Sequence, residues 1–211
     1  MDISVTLLLI IVTVGTSLYA WNRPDVMDKW IMNPYRVQRR GEWLRFLTSG
    51  FIHKDYTHLI FNMIAWYGFG EIVEIFFVRK YGVLGLGLYA LVYLAAIVVS
   101  EIPTYLKHRN HPYYNSLGAS GGVSAIVFAA ILFYPLGQIG IIFLPFFRLP
   151  AFIFGGLYML YTWYMSRRGG DMINHDAHLY GALFGIACSA LLIPEALPLF
   201  VEQVRTWRLN L

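Results

Sequence analysis

The chain has 211 residues, of which 58% are hydrophobic and 13% are charged, and its formal net charge at pH 7 is +4. A composition this apolar excludes an ordinary soluble domain and is typical of a membrane protein. The modest positive charge suits contact with anionic lipid and does not indicate nucleic-acid binding, and the single cysteine, Cys188, excludes an intramolecular disulfide.

Apolar segments long enough to cross a hydrocarbon core, which takes about 20 helical residues, recur along the chain. The first lacks preceding positive charge and exceeds the usual length of a signal-peptide core, so we predict a retained span. The third is expected to close at Glu101 and Pro103. The pattern predicts an all-α, six-helix membrane bundle forming one domain over residues 1–211, with spans at about 3–20, 57–78, 84–99, 118–134, 149–165 and 175–193.

Three further segments are not predicted to be membrane spans. The long first loop, residues 21–56, is rich in aromatic residues, which favour the headgroup level, so we expect it to lie against the membrane surface. Residues 137–147 are apolar but short and contain Pro145, which indicates an interfacial or re-entrant piece. The tail after Pro194 alternates apolar and charged residues, as an interfacial amphipathic helix does.

Polar and ionisable residues cluster where three of these spans begin, and such residues inside a membrane are costly enough to be functional candidates. Because spans alternate in direction, the second, fourth and sixth begin on the same face of the membrane. We therefore expect the three clusters to lie close together at similar depth. They comprise His53, His58 and Asn62; Ser120; and His175, Asp176 and His178.

Ser120 is surrounded by residues with little or no side chain, from Gly118 to Ala125. Glycines permit a tight turn and a close approach of another backbone. A serine at a helix N-terminus also has unpaired N–H groups beside it, which can bind a developing oxyanion. Small residues such as Gly121 and Ala125 also pack helices together, and taken alone that explanation is the more frequent one.

His178 precedes Gly181 and Gly185 on one helical face, and this small face could press against the glycine-rich fourth span. A histidine is well suited to accept a hydroxyl proton near neutral pH. A lone histidine is more often structural, but pairing with the serine motif reverses that preference. Asp176 is two positions away and points in a different direction, so we do not assign a triad.

His58 and Asn62 are four residues apart and share one helical face. They could donate hydrogen bonds to an oxyanion, or they could simply join two helices. Glu71 and Glu74 lie deeper in the second span, where we favour structural roles. Arg45 of the first loop is a candidate partner for a buried carboxylate.

The order and spacing of these motifs resemble those of the rhomboid intramembrane serine proteases over nearly the whole chain. The matching motifs are Glu42-Trp43-Leu44-Arg45, His53, the run from His58 to Met63, Gly70 to Glu74, Gly118 to Gly121, and His178 to Gly181 with Gly185.

The resemblance implies an intramembrane serine endopeptidase that hydrolyses peptide bonds in or near transmembrane helices of other proteins, without a metal or nucleotide cofactor. It implies a dyad in which Ser120 attacks and His178 takes the proton. Expected partners are transmembrane substrates and lipids, in a bacterial inner membrane. The sequence does not indicate an oligomeric state.

The resemblance also implies supporting roles. His58, Asn62 and the Ser120 amide match an oxyanion hole, and His53 matches a loop histidine that shapes a water-accessible cavity. Gly118 and Gly121 flank the nucleophile, and Gly181 and Gly185 support the base. Arg45 and Glu74 match positions that hold the first loop in place.

One position departs from the family pattern. Many relatives have an aromatic residue four positions after the nucleophile, packed on the histidine ring, but here that position is Ser124. Tyr180 or another residue would have to substitute for it. Two other functions stay open: a catalytically inactive rhomboid-like membrane chaperone, and a transporter that uses the intramembrane His and Glu groups. The chain has no HExxH motif, which argues against a zinc-dependent protease.

Overall fold

The computed structural model describes residues 4–141 and 144–208, and these residues are mainly helical. Within them, ten α-helices and two β-strands follow one another along the chain. In order they are α1 Val5–Trp21, α2 Pro24–Trp30, α3 Pro34–Arg40, α4 Arg45–Thr48, α5 Tyr56–Tyr81, α6 Leu84–His108, α7 Ser120–Phe133, β1 Gln138–Ile141, β2 Leu144–Pro150, α8 Ala151–Arg168, α9 His175–Leu192 and α10 Ala196–Thr206.

The prediction of an all-α chain is wrong at residues 137–147, because β1 and β2 pair there as an antiparallel hairpin. Gln138 is opposite Pro150 and Ile139 is opposite Leu149. Alternating β-branched and small residues suit a strand, while proline disrupts a helix interior. Residues 142 and 143 of this segment lie outside the described residues, and its interfacial position stays a prediction.

The helix at the third predicted span is longer than predicted, because α6 continues through Pro103 to His108. A proline inside a helix removes one backbone hydrogen bond. Tertiary contacts hold the turns around it: Glu101 and Thr104 are buried, and each is hydrogen-bonded outside α6. The predicted end at Glu101 and Pro103 followed the local rule for proline and missed these contacts.

The first loop is built from α2, α3, α4 and a 3-10 turn, Ser49–Phe51. Arg45 is 2% exposed and donates from Nη1 to the carbonyl oxygens of Asp28, at 2.7 Å, and Ile31, at 2.6 Å. Its Nε also forms an ion pair with Glu42. Arg45 therefore joins α4 to the C-terminal end of α2 from the interior of the loop.

The helix α7 lies at the centre of the molecule, where it packs against α5, α6 and α9. On the outside, α1 packs against α5, and α8 packs against α9. A Cβ atom at Gly181 would meet the carbonyl oxygen of Gly121, and one at Gly185 would meet that of Ala125. The two helices α7 and α9 thus touch backbone to backbone over two turns.

We expect Gly185→Ala to destabilise the protein by about 1–3 kcal/mol, because the added methyl group collides with a main-chain oxygen that cannot move aside. Gly68→Ala on α5 is the matched control. No described atom lies within 4 Å of the position its Cβ would take, so helix propensity should make that change neutral or stabilising by up to about 1 kcal/mol. Thermal unfolding in detergent measures both, and equal midpoints would contradict the close contact.

By length and composition, α5 and α6 can cross a membrane among the described residues, and a third span exists if α9 and α10, bent by 112°, count as one. The helices α1 and α7 are shorter and apolar. The number of six spans stays a prediction. The tail is helical as expected, since α10 covers Ala196–Thr206.

Candidate active site

The predicted nucleophile, Ser120, is the first residue of α7. Gly118 before it has φ of +116°, which residues with a side chain rarely adopt, so the turn into the helix requires glycine. The N-cap residue is Ala119, whose methyl group cannot accept a hydrogen bond. The N–H groups of Ser120, Gly121 and Gly122 therefore point out of the helix end, where they and the helix dipole favour an anion.

His53 fixes the residue before the serine. Its ring is fully buried, Nε2 accepts a hydrogen bond from the Ala119 amide at 3.2 Å, and Nδ1 lies 3.0 Å from Ser17 Oγ on α1. Burial, and then the nearby His58, lowers the pKa of His53 to about 3, so the ring is neutral at pH 7. With Nε2 accepting, Nδ1 carries the proton and donates to Ser17. His53 thus ties α1 to the turn before Ser120.

The backbone before Ser120 is also held by the first loop. The amide of Met32 donates to the Ser116 carbonyl and the amide of Ser116 donates to the Met32 carbonyl, both at 3.0 Å. The amide of Gly118 donates to the Ser49 carbonyl at 2.9 Å. The first loop therefore holds the backbone of residues 116–118, just before Ser120, by main-chain hydrogen bonds.

His58 and Asn62 come from the first turns of α5. A Cβ at Gly118 would collide with the His58 ring, so this ring lies directly against the turn before Ser120. The ring of His58 is also 5.0 Å from that of His53, centroid to centroid. Asn62 Nδ2 donates to the His58 carbonyl at 3.0 Å, which occupies one of its two amide hydrogens.

The start of α9 is fixed by a buried network that the sequence did not reveal. Asn174 is the N-cap residue, and its Oδ1 accepts from the Ala177 amide at 3.1 Å and from Thr104 Oγ1 at 3.0 Å. Its Nδ2 donates to Glu101 Oε1 at 3.2 Å, and Ser116 Oγ donates to the other carboxylate oxygen at 3.1 Å. The carboxylate of Glu101 thus joins the first turn of α9 to the segment before the serine.

The predicted base, His178, lies in the first turns of α9 and meets Tyr158 of α8. Tyr158 Oη is 2.9 Å from His178 Nδ1, and the two rings are nearly parallel, with an interplanar angle of 18° and centroids 6.2 Å apart. Tyr180, the candidate named from the sequence, is 44% exposed and is not this partner. The sequence offered no signal for Tyr158, because Tyr161 and Tyr164 repeat the same spacing on the same helix.

Two other polar residues of this turn have partners of their own. His175 Nε2 is 3.0 Å from Asp171 Oδ2, and its ring meets that of His178 edge-on at 6.0 Å. Asp176 Oδ2 accepts from Lys107 Nζ at 3.0 Å. The expectation that Asp176 points away from His178 agrees with this ion pair.

The three predicted clusters are brought to one end of the bundle. His58 touches the turn before Ser120, and a Cβ at Gly121 would be 3.5 Å from the Ala177 carbonyl on α9. Among the described residues, no hydrogen bond joins Ser120 to His178. Catalytic hydrogen bonds are often long or poorly aligned without substrate. The arrangement combines a hydroxyl, an imidazole and free N–H groups, which is suited to acyl transfer.

Glu74 lies in α5 as predicted, but its partner is not the one that the sequence suggested. Its carboxylate accepts hydrogen bonds from Ser4 Oγ and from the amides of Val5 and Thr6, at 2.9 to 3.0 Å, and from Thr6 Oγ1 at 2.7 Å. The proposed pairing with Arg45 is therefore wrong, and Glu74 holds the start of α1 instead of the first loop. A carboxylate at a helix N-terminus is favoured by the helix dipole and by the unpaired N–H groups there.

Several histidines lie in this region, and histidine is a common metal ligand. Within residues 4–141 and 144–208, no group of three or more His, Cys, Asp or Glu side chains could hold a metal ion. The rings of His53, His175 and His178 have hydrogen-bond partners at an amide, a carboxylate and a hydroxyl respectively.

Known proteins resemble this chain in sequence. A family model described as the rhomboid domain matches residues 40–195. The mitochondrial presenilin-associated rhomboid-like protein of Homo sapiens is 34% identical over 142 residues, which are 66% of this chain and 35% of that protein. Rhomboid protease GluP of Bacillus subtilis is 35% identical over 99 residues, 47% of this chain and 17% of that protein. RHOMBOID-like protein 12, mitochondrial, of Arabidopsis thaliana is 27% identical over 169 residues, 74% of this chain and 49% of that protein. The chain thus spans less than half the length of each of these curated relatives.

Proposed function

Because the chain belongs to the rhomboid family, we propose that it is an intramembrane serine endopeptidase in which Ser120 is the nucleophile and His178 the general base. The observation that carries the proposal is the junction of two helix ends. The first turn of α7 presents a hydroxyl beside unpaired N–H groups, and the first turn of α9 presents an imidazole whose Nδ1 already has a partner. Its Nε2 is then left to accept the serine proton.

The proposed reaction proceeds by acyl transfer. The Ser120 hydroxyl gives its proton to His178 Nε2 as Oγ bonds to the peptide carbonyl carbon, and the carbonyl π electrons move to its oxygen. The helix-end amide of Ser120, the free amide hydrogen of Asn62 and the His58 ring stabilise this oxyanion. Collapse expels the amine, which takes the proton from His178. Water, deprotonated by His178, then hydrolyses the serine ester and restores the hydroxyl.

We place this reaction inside the membrane, with α1, α5, α6, α7, α8 and α9 as the six spans. Large apolar side chains are exposed on the outer faces, for example Leu8 on α1, Ile64 on α5 and Leu160 on α8, and lipid is the solvent in which such faces are stable. The helix α7 has 14 residues, or about 21 Å, against about 30 Å of hydrocarbon. Protein, not lipid, surrounds it, so its short length leaves Ser120 below the membrane surface.

A nucleophile at that depth acts on a peptide bond that is itself in or near the membrane. The proposed substrates are therefore transmembrane helices of other proteins, opened locally so that a carbonyl reaches Ser120 Oγ. The compartment proposed from the sequence is a bacterial inner membrane. The mitochondrial location in two of the relatives' names is theirs, and the Bacillus relative is bacterial.

The test uses purified protein in detergent with a reporter that carries one transmembrane segment. We expect cleavage that a fluorophosphonate blocks by covalent modification of Ser120, and that a metal chelator leaves unchanged. Mass spectrometry of the labelled protein identifies the modified residue. Binding of the reporter without cleavage or labelling would instead support a membrane chaperone, and cleavage that only the chelator stops would reject the serine mechanism.

A further inference from the structure

The base of a serine hydrolase needs a partner at its second ring nitrogen. For His178 Nε2 to accept the serine proton, Nδ1 must carry the other proton, and a hydrogen-bond acceptor at Nδ1 selects that tautomer and fixes the ring plane. Ser124, one helical turn after Ser120 on α7, is too short to stack on the imidazole. The structure therefore has to orient His178 in some other way.

Tyr158 is placed to do so. It meets both requirements at once, because its hydroxyl is 2.9 Å from Nδ1 and its ring is nearly parallel to the imidazole. The Tyr158 ring is itself confined between Phe154 on its own helix, with centroids 6.0 Å apart, and Phe128 on α7, at 5.9 Å. Ser124 of α7 lies near the Tyr158 hydroxyl. Because its own ring is confined in this way, Tyr158 can fix the orientation of the His178 ring.

The other polar groups near His178 are occupied elsewhere. Asp176 is paired with Lys107, and His175 binds Asp171 through Nε2. Within the described parts of the chain, Tyr158 is the side chain that is hydrogen-bonded to His178.

We propose that Tyr158 is the positioning residue of His178, so that the aromatic side chain that orients the base comes from α8. The inference rests on the proposed protease function. His178 Nδ1–H donates to Tyr158 Oη. When His178 becomes positively charged in the reaction, this hydrogen bond strengthens and stabilises it.

The test compares Tyr158→Phe with Tyr164→Phe, the same change on an exposed part of α8. Hydrogen bonds to charged groups are stronger than neutral ones, so we expect Tyr158→Phe to lower kcat of reporter cleavage by roughly 10-fold or more. KM should stay constant, because Tyr158 acts on the base and not on the substrate. Tyr164→Phe should match the wild type. A Tyr158→Phe variant with kcat within about twofold of wild type would overturn the proposal.

A second pair of variants tests whether an aromatic hydroxyl beside His178 is what matters. Tyr158→Ser leaves His178 without its partner, and combining it with Ser124→Tyr returns an aromatic hydroxyl from α7 to the same region at conserved total volume. We expect the double variant to cleave faster than Tyr158→Ser. A double variant that is no faster would count against the proposal. Wild-type protein that neither cleaves the reporter nor reacts with the fluorophosphonate would instead reject the proposed function itself, so the two failures are distinct.

Discussion

Replacing Ser120 with alanine is expected to reduce reporter cleavage by roughly 10⁴-fold or more, to the background that binding and the oxyanion donors alone can supply. The change removes only Oγ from the first residue of α7, and no cap or tertiary hydrogen bond of the described residues depends on that atom. Folding should therefore be unaffected. Initial rates in detergent, with thermal unfolding measured in parallel, provide the test.

Ser189→Ala is the matched control for this variant. Ser189 is a fully buried serine on α9, and its hydroxyl has no hydrogen-bond partner among the described residues, so its loss should change neither rate nor stability appreciably. Cleavage by Ser120→Ala at a tenth of the wild-type rate or faster would mean that another group attacks the peptide bond, and the serine mechanism would have to be abandoned.

Replacing His178 with alanine is expected to have an effect of similar size, because an unactivated serine hydroxyl is a poor nucleophile at neutral pH. The two changes should also be non-additive: once either residue is missing, removing the other costs little, since both act in the same step. The rates of the two single variants and the double variant, measured with the same reporter, test both expectations.

His111→Ala is the control for this second experiment, because His111 is an exposed histidine of the connection after α6. It should cleave like the wild type. If the His178→Ala rate fell only severalfold, or if the two losses multiplied in the double variant, the histidine would not be the base for Ser120.

The sequence was sufficient to predict that the first turns of α5, α7 and α9 lie at one end of the bundle. That prediction needed only the order of the spans, because alternating direction decides which helix ends share a face. The glycines of α9 supported the same prediction, because small residues at helical spacing let α7 and α9 approach until their backbones touch.

Tyr158 could not be predicted for a physical reason. Aromatic residues recur along α8 at helical spacing, and which one reaches His178 depends on how α8 is rotated against α9. That rotation is set by packing over the whole interface and leaves no local trace in the sequence. The Glu101 network was missed similarly, because a charged residue beside Pro103 looks like the end of a helix until its partners Ser116 and Asn174 are known.

The pairing of Met32 with Ser116 bears on how this protein can evolve. The pair is made by main-chain groups on both sides, so the pairing itself needs only an N–H and a carbonyl at each position, and of the ordinary residues proline alone lacks the N–H. The side chains are restrained separately, because Met32 is fully buried and Ser116 Oγ donates to Glu101. Substitutions at these two positions should therefore act through packing and through the Glu101 network, while the backbone path that leads to Ser120 is kept.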